Sequence, residues 1–135
     1  MKRVSVSALL VLFIVLSACE REKEEIINPM ILGKWMLDRN VEEDYHPIHT
    51  LTDSEEYIGK AGDSVIFLAN KTTITYTDEG AVHEDDYEFL NDSTMRIEYE
   101  IYKIRKLTDT EFYLHEEEVD NALDEKWVYK IYLRR

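Results

Sequence analysis

The residues equipped for chemistry are few in kind. The chain of 135 residues carries 29 acids, 16 lysines and arginines, 4 histidines and one cysteine, Cys19. A single thiol forms no internal disulfide, so the fold must hold without one. His46-Pro47-Ile48-His49, next to Glu42, Glu43 and Asp44, gathers imidazoles and carboxylates of the kinds a divalent cation accepts. No helix fixes the His-x-x-His spacing and Pro47 disturbs it, so this stretch is expected to be an exposed polar loop, with no metal and no cofactor. Glu84-Asp85-Asp86 and Glu116-Glu117-Glu118 read as solvated strand faces or loop ends, and no interrupted acidic calcium loop is present. Paired carboxylates hydrolyse glycosides, but 29 acids single out no pair. No serine lies in a nucleophile elbow. The chain is therefore not expected to be an enzyme.

The other chemically distinctive set is aromatic: Trp35, Phe67, Tyr76, Tyr87, Phe89, Tyr99, Phe112, Trp127 and Tyr129. These residues need an interior to fill or a pocket to line, and the elements that would place them come next.

The chain opens with the positive Met1-Lys2-Arg3, and Val4 to Leu16 is apolar apart from Ser5 and Ser7. That run is far shorter than the roughly 20 residues a spanning helix needs. Residues 1–18 read as a secretory signal peptide. Glu20 to Glu25 holds no apolar residue, and 19–27 reads as a solvated acidic tether. The formal net charge is −13, and losing Lys2 and Arg3 with the signal leaves −15. Such a chain is repelled by nucleic acid and by anionic lipid surfaces, so neither is an expected partner.

Residues 28–135 read as one small β domain. Asn28, Pro29 and Gly33 frame a one-turn helix. Lys34 to Val41 begins a strand with Trp35, Leu37 and Val41 on one face, interrupted by Arg39. A polar loop is expected from Asp44 to Asp63, either mobile or a lid. Further strands are predicted at 64–68, 72–77, 82–90, 94–99, 101–107, 111–119 and 125–134, with a bulge or short turn near Glu100. The last alternates Trp127, Tyr129, Ile131 and Leu133 against polar residues. This gives an all-β meander of eight antiparallel strands, which closes most simply as an up-and-down barrel without exposed edges.

Three resemblances follow from these residues. Leu16-Ser17-Ala18-Cys19 resembles the lipobox of bacterial lipoproteins, which implies cleavage before Cys19 and a lipid on its thiol. The alternative is an ordinary signal peptide. Lys23-Glu24-Glu25 resembles the acidic export signal of Bacteroidetes surface lipoproteins, against the alternative of a plain spacer. The domain resembles the small, Bacteroidetes-type lipocalin-like lipoproteins. Gly33-Lys34-Trp35 after the helical turn matches the lipocalin Gly-x-Trp signature. Thr108-Asp109 stands where Thr-Asp-Tyr is usual, with Thr110 departing from it. Arg134 or Arg135 falls where lipocalins place an arginine over the tryptophan, and Lys106 to Phe112 also looks typical. The resemblance implies that Gly33, Trp35 and an arginine, taken as Arg134, build the barrel floor. The short chain, without the helix that packs beside larger lipocalin barrels, implies at most a small cavity.

An eight-stranded barrel is wide enough to be filled by side chains or to hold one small ligand. A mostly filled interior is expected. The alternative is a small apolar pocket at the open end, lined by Tyr76, Tyr87, Phe89 and Tyr99 beneath the Asp44–Asp63 loop. The expected protein is a monomeric lipoprotein held on the outer membrane through Cys19, with surface display a further expectation. It would bind a small lipophilic or aromatic molecule at the barrel mouth. The alternative is a non-catalytic interaction or inhibitor module that meets an envelope protein or glycan through its exterior and loops.

Overall fold

The structure is a computed structural model that describes residues 28–135. The signal peptide, Cys19 and the acidic tether lie outside the described residues. One 3₁₀ turn, Pro29–Ile31, precedes nine strands. These are β1 (Gly33–Tyr45), β2 (Leu51–Ile58), β3 (Ser64–Phe67), β4 (Thr72–Tyr76) and β5 (Val82–Asn91), then β6 (Thr94–Ile97), β7 (Glu100–Leu107), β8 (Glu111–Asp120) and β9 (Glu125–Arg134). Consecutive strands from β3 to β9 pair antiparallel, and β1 pairs with β9 to close the barrel.

The expected eight-stranded up-and-down barrel is present, with one strand more. The stretch expected as a loop, Asp44–Asp63, is largely β-hairpin: β1 runs on to Tyr45 and β2 pairs back on it from Leu51 to Ile58. Every residue of β2 is exposed, so no apolar alternation marks it as a strand. Its charged, one-sided pairing is the usual way a free sheet edge is kept from sticking to other chains. β2 and β3 lie along the same edge of β1, β2 against Arg39–Tyr45 and β3 against Gly33–Met36. Together they act as one barrel strand interrupted at Gly59–Asp63.

Asp63 stitches that interruption. Its buried carboxylate accepts from the Tyr57 hydroxyl (2.7 Å), the Lys60 amide (2.7 Å) and the Asp78 amide (2.8 Å). These donors, led by the Lys60 amide and the Tyr57 hydroxyl, hold its pKa below the ordinary aspartate value. Lys60 crosses to Asp78 at 2.8 Å, tying the loop to the β4–β5 turn.

The closed end is built around Trp35. Asn28 caps the 3₁₀ turn by accepting from the Met30 amide at 3.0 Å. Trp35 is fully buried, and its Nε1 donates to the Ile31 carbonyl at 2.7 Å. Phe67, Met95, Phe112 and Leu133 pack in the same core, with Phe112 5.5 Å and tilted from Trp35. The arginine over the tryptophan is Arg135, not Arg134. Its guanidinium carbon sits 4.1 Å from the Trp35 ring, and it donates to the carbonyls of Leu32, Met30 and Asp109. Arg134 follows the inward Leu133, so strand alternation turns it outward, where it lies 3.4 Å from Asp38.

A bulge corrects another expectation. The β1–β9 register slips between Leu37 and Arg39. Side-chain parity therefore reverses there. Leu37 and Asn40 both face the interior cavity, while Arg39 lies outside over Tyr132 (4.4 Å) and against Glu56 (2.9 Å). Val41 thus leaves the face of Trp35. The turn expected near Glu100 is Glu98-Tyr99, which joins Ile97 to its partner Glu100, with Glu98 at φ 54°. The strands of residues 28–135 find their partners within that segment around one core, so it forms a self-contained folding unit.

Candidate functional site

Along the inner rows the side chains change in kind from the closed end to the open end. On β8 the row runs Phe112, Leu114, Glu116, Glu118; on β9 it runs Leu133, Ile131, Tyr129, Trp127; on β7 it runs Ile104, Tyr102, Glu100. The floor is aromatic and aliphatic, tyrosines form the middle, and carboxylates form the mouth.

The barrel is not filled. A cavity of about 690 Å³ occupies its open half. Leu37, Val65, Phe67, Ile97, Leu114, Ile131 and Leu133 supply apolar wall, with Asn40, Thr73, Thr75, Asp85, Tyr102 and Tyr129 as polar points. Tyr57, Lys60, Asp63 and Asp78 make up part of its rim. The Asn40 amide donates to the Tyr129 hydroxyl at 2.9 Å. A second hollow of about 370 Å³ shares Tyr102 and Tyr129 and is otherwise lined by Glu42, Glu43, Asp44, Glu100, Glu116, Glu118, Trp127 and Val128.

The four aromatic residues expected to line a pocket are scattered. Tyr76 is at the cavity. Tyr87 is buried deeper, packed edge-on to Phe67 at 5.3 Å with its hydroxyl donating to the Leu68 carbonyl at 2.7 Å. Phe89 packs edge-on against Tyr87 at 6.5 Å, away from the cavity. Tyr99 is 84% exposed at the tip of the β6–β7 turn. The aromatic lining is Tyr76 together with Tyr57, Phe67, Tyr102 and Tyr129.

The carboxylates at the mouth were also legible in part. Glu116 and Glu118 continue the alternation of Phe112 and Leu114, so period two alone places them inside. Reading Glu116-Glu117-Glu118 as one charge run hid this, because only Glu117 faces out, toward His115 at 3.7 Å. Burial first, then the hydrogen bond and charge of Glu100 and the charge of Glu118, push the Glu116 carboxyl up to about 7. The neighbouring Glu100 thus favours the protonated form of Glu116.

The sign of the resulting pH dependence follows. A carboxyl whose folded pKa exceeds its unfolded value binds more protons when folded, so its stabilising effect is complete below about 4.5 and is lost as pH rises through about 7. The groups facing it are Glu100 and Tyr102 from β7, Glu118 from β8, Glu42 and Asp44 from β1, and Tyr129 from β9. Glu116→Gln, which keeps a neutral donor, is expected to raise the thermal midpoint at pH 8 by a few degrees and leave it unchanged at pH 5. Allowing for screening by water at the mouth, this corresponds to about 1 kcal/mol. Unfolding scans across this range check it, with Glu117→Gln as the outward control. Parallel pH profiles for wild type and Glu116→Gln would refute the upward shift of the Glu116 carboxyl.

His46 and His49 lie in the turn of the β1–β2 hairpin, away from both hollows. Three other groups converge within 4.8 Å of one another: His83, Asp85 and Glu98. His83 Nε2 lies 2.9 Å from the Asp85 carboxylate, and the tight Glu98-Tyr99 turn brings Glu98 beside them. No helix among the described residues is long and apolar enough to cross a membrane.

No family model matches the chain. A search of curated proteins finds no match either.

Proposed function

We propose that this chain is a lipid-anchored envelope protein whose barrel holds a small lipophilic or aromatic molecule at its open end, without catalysing a reaction on it. The observation that carries the binding reading is the cavity of about 690 Å³, apolar on its walls with a few polar points. Ligand sites of roughly 300–1,000 Å³ are built in this way, and barrel mouths are a common place for them. It favours a carrier over a module that works through its exterior. The anchor belongs to the same proposal: a lipid on Cys19, outer-membrane attachment and the acidic tether as leader to the surface rest on the lipobox resemblance and the run Glu20–Glu25.

Native mass spectrometry of residues 26–135 after incubation with envelope extract tests the carrier. A retained small molecule is expected, and Thr75→Trp, which fills the cavity from β4, should abolish its retention. Clean apo mass in every extract, or equal retention by Thr75→Trp, would sink the reading. For the anchor, Cys19→Ala should lose its lipid mass and leave the membrane fraction; a variant that keeps both would refute it.

A further inference from the structure

The charge arrangement of the barrel says what kind of molecule the cavity suits. Cationic side chains around the open end are already engaged: on the outer rows Lys130 pairs with Glu43 at 2.6 Å, Arg39 pairs with Glu56 and Lys126 covers the Tyr45 ring at 4.0 Å, while Lys60 on the cavity rim pairs with Asp78 at 2.8 Å. The inner rows carry Glu42, Glu100, Glu116 and Glu118, and none of these four makes a salt bridge among the described residues. An acidic rim alone would be only a solvated barrel end.

Tyr102 is the independent observation. It is only 8% exposed and lines both hollows, where the apolar cavity meets the acidic one. Its hydroxyl makes no hydrogen bond among the described residues. It feels the charges of Glu116 and Glu100 and lies near Tyr129. The side chain is buried but its hydroxyl opens into the hollow, so only a group inside the hollow can pair with it. The group that satisfies it and the carboxylates together is a hydrogen-bonding cation.

Resting on the carrier reading above, we infer that the ligand is an organic cation: a protonated amine on an aliphatic or aromatic body. The body lies against Leu114, Ile131 and Leu133. The ammonium sits between Glu100, Glu116 and the Tyr102 hydroxyl, and Trp127 and Tyr129 offer ring faces to it. Charge-assisted hydrogen bonds in a partly desolvated hollow are the strong kind, and a neutral ligand would forgo them.

The test uses residues 26–135 and three fluorescent probes sharing a dansyl body, with a pentyl or hexyl tail ending in ammonium, methyl or carboxylate. The ammonium probe is expected to bind about tenfold tighter than the methyl probe, and the carboxylate probe weakest. Glu116→Gln and Glu100→Gln should each weaken the ammonium probe by about tenfold and leave the methyl probe nearly unchanged. Tyr102→Phe should weaken the ammonium probe severalfold, and outward Glu117→Gln should change nothing. Equal affinity for ammonium and methyl tails would overturn the cation while leaving the carrier in place. So would an equal loss in Glu117→Gln and Glu116→Gln, because attraction would then come from the diffuse negative field. No binding of any probe, together with a clean apo mass in extracts, would overturn both readings.

Discussion

Trp35→Ala is expected to lose about 3–5 kcal/mol of stability, the cost of emptying a large aromatic site in a closed core. Small domains hold a margin of only about 5–15 kcal/mol, so this variant should lose a large share of it. The loss exceeds that of an ordinary core aromatic for a reason specific to the barrel floor. The indole Nε1 holds the Ile31 carbonyl, so the 3₁₀ turn that covers the barrel's end is tethered by the ring itself. Arg135 lies on the other side of the ring and joins that turn to the Asp109 turn and the end of β9 through three carbonyls. Arg135→Ala is expected to cost about 1–2 kcal/mol, because the stacked guanidinium and its hydrogen bonds are removed but water can reach the freed carbonyls. Arg135→Lys should recover little of this, since one ammonium cannot serve three carbonyls and a ring face. Arg134→Ala should stay within about 0.5 kcal/mol. Urea titrations of the four variants check the order. A mild Trp35→Ala, or Arg134→Ala costing more than Arg135→Ala, would show that the floor is held in another way.

The contrast between these two arginines shows where sequence reading reaches its limit. Eight strands could be read because each alternates at period two on one face or the other, β4 through Ile74 and Tyr76 with Thr73 and Thr75 inside, and because turns such as Asn91-Asp92 and Thr108-Asp109-Thr110 bound them. The helical turn, Gly33 and Trp35 could be read because cap chemistry and the Gly-x-Trp spacing are local. Which arginine covers Trp35 depends on the final residue leaving the strand, a matter of one position that spacing does not decide. β2 was invisible for another reason: a strand exposed along its whole length carries no burial pattern. The cavity was hidden most deeply. Counting aromatics suggested a filled interior, but Tyr99 lies in solvent and Trp127 is partly exposed at the mouth, while Thr73, Thr75 and Asn40 take inner positions with little bulk. The bulge beyond Leu37, which turns Asn40 inward, comes from pairing with β9, and its one mark within β1 is Arg39, which interrupts the apolar face.

The seam between β2 and β3 is where the cavity rim depends on a single missing atom. Gly59 donates its amide to the Asp38 carbonyl at 2.9 Å, and Leu37 donates to the Asp63 carbonyl at 3.0 Å. Between these two bonds the chain leaves the sheet and returns. A Cβ on Gly59 would lie 1.9 Å from the Leu37 carbonyl oxygen and 2.7 Å from its carbon. Those atoms are backbone in the strand that closes the barrel, so no side-chain rotation relieves the clash. Gly59→Ala must push β2 off β1 or shift the loop, and either movement pulls on Asp63 and its bonds to Tyr57, Lys60 and Asp78. The expected loss is about 2–3 kcal/mol, toward the upper end for overpacking, whereas Ala61→Ser at the exposed loop tip should cost less than about 0.5 kcal/mol. Because Tyr57, Lys60 and Asp63 also border the cavity, hydrogen exchange of their amides should quicken, and ligand retention should fall even where the variant remains folded. If Gly59→Ala melts like wild type with unchanged exchange, the strands are not in tight contact there, and the rim owes its shape to the Lys60–Asp78 bridge instead.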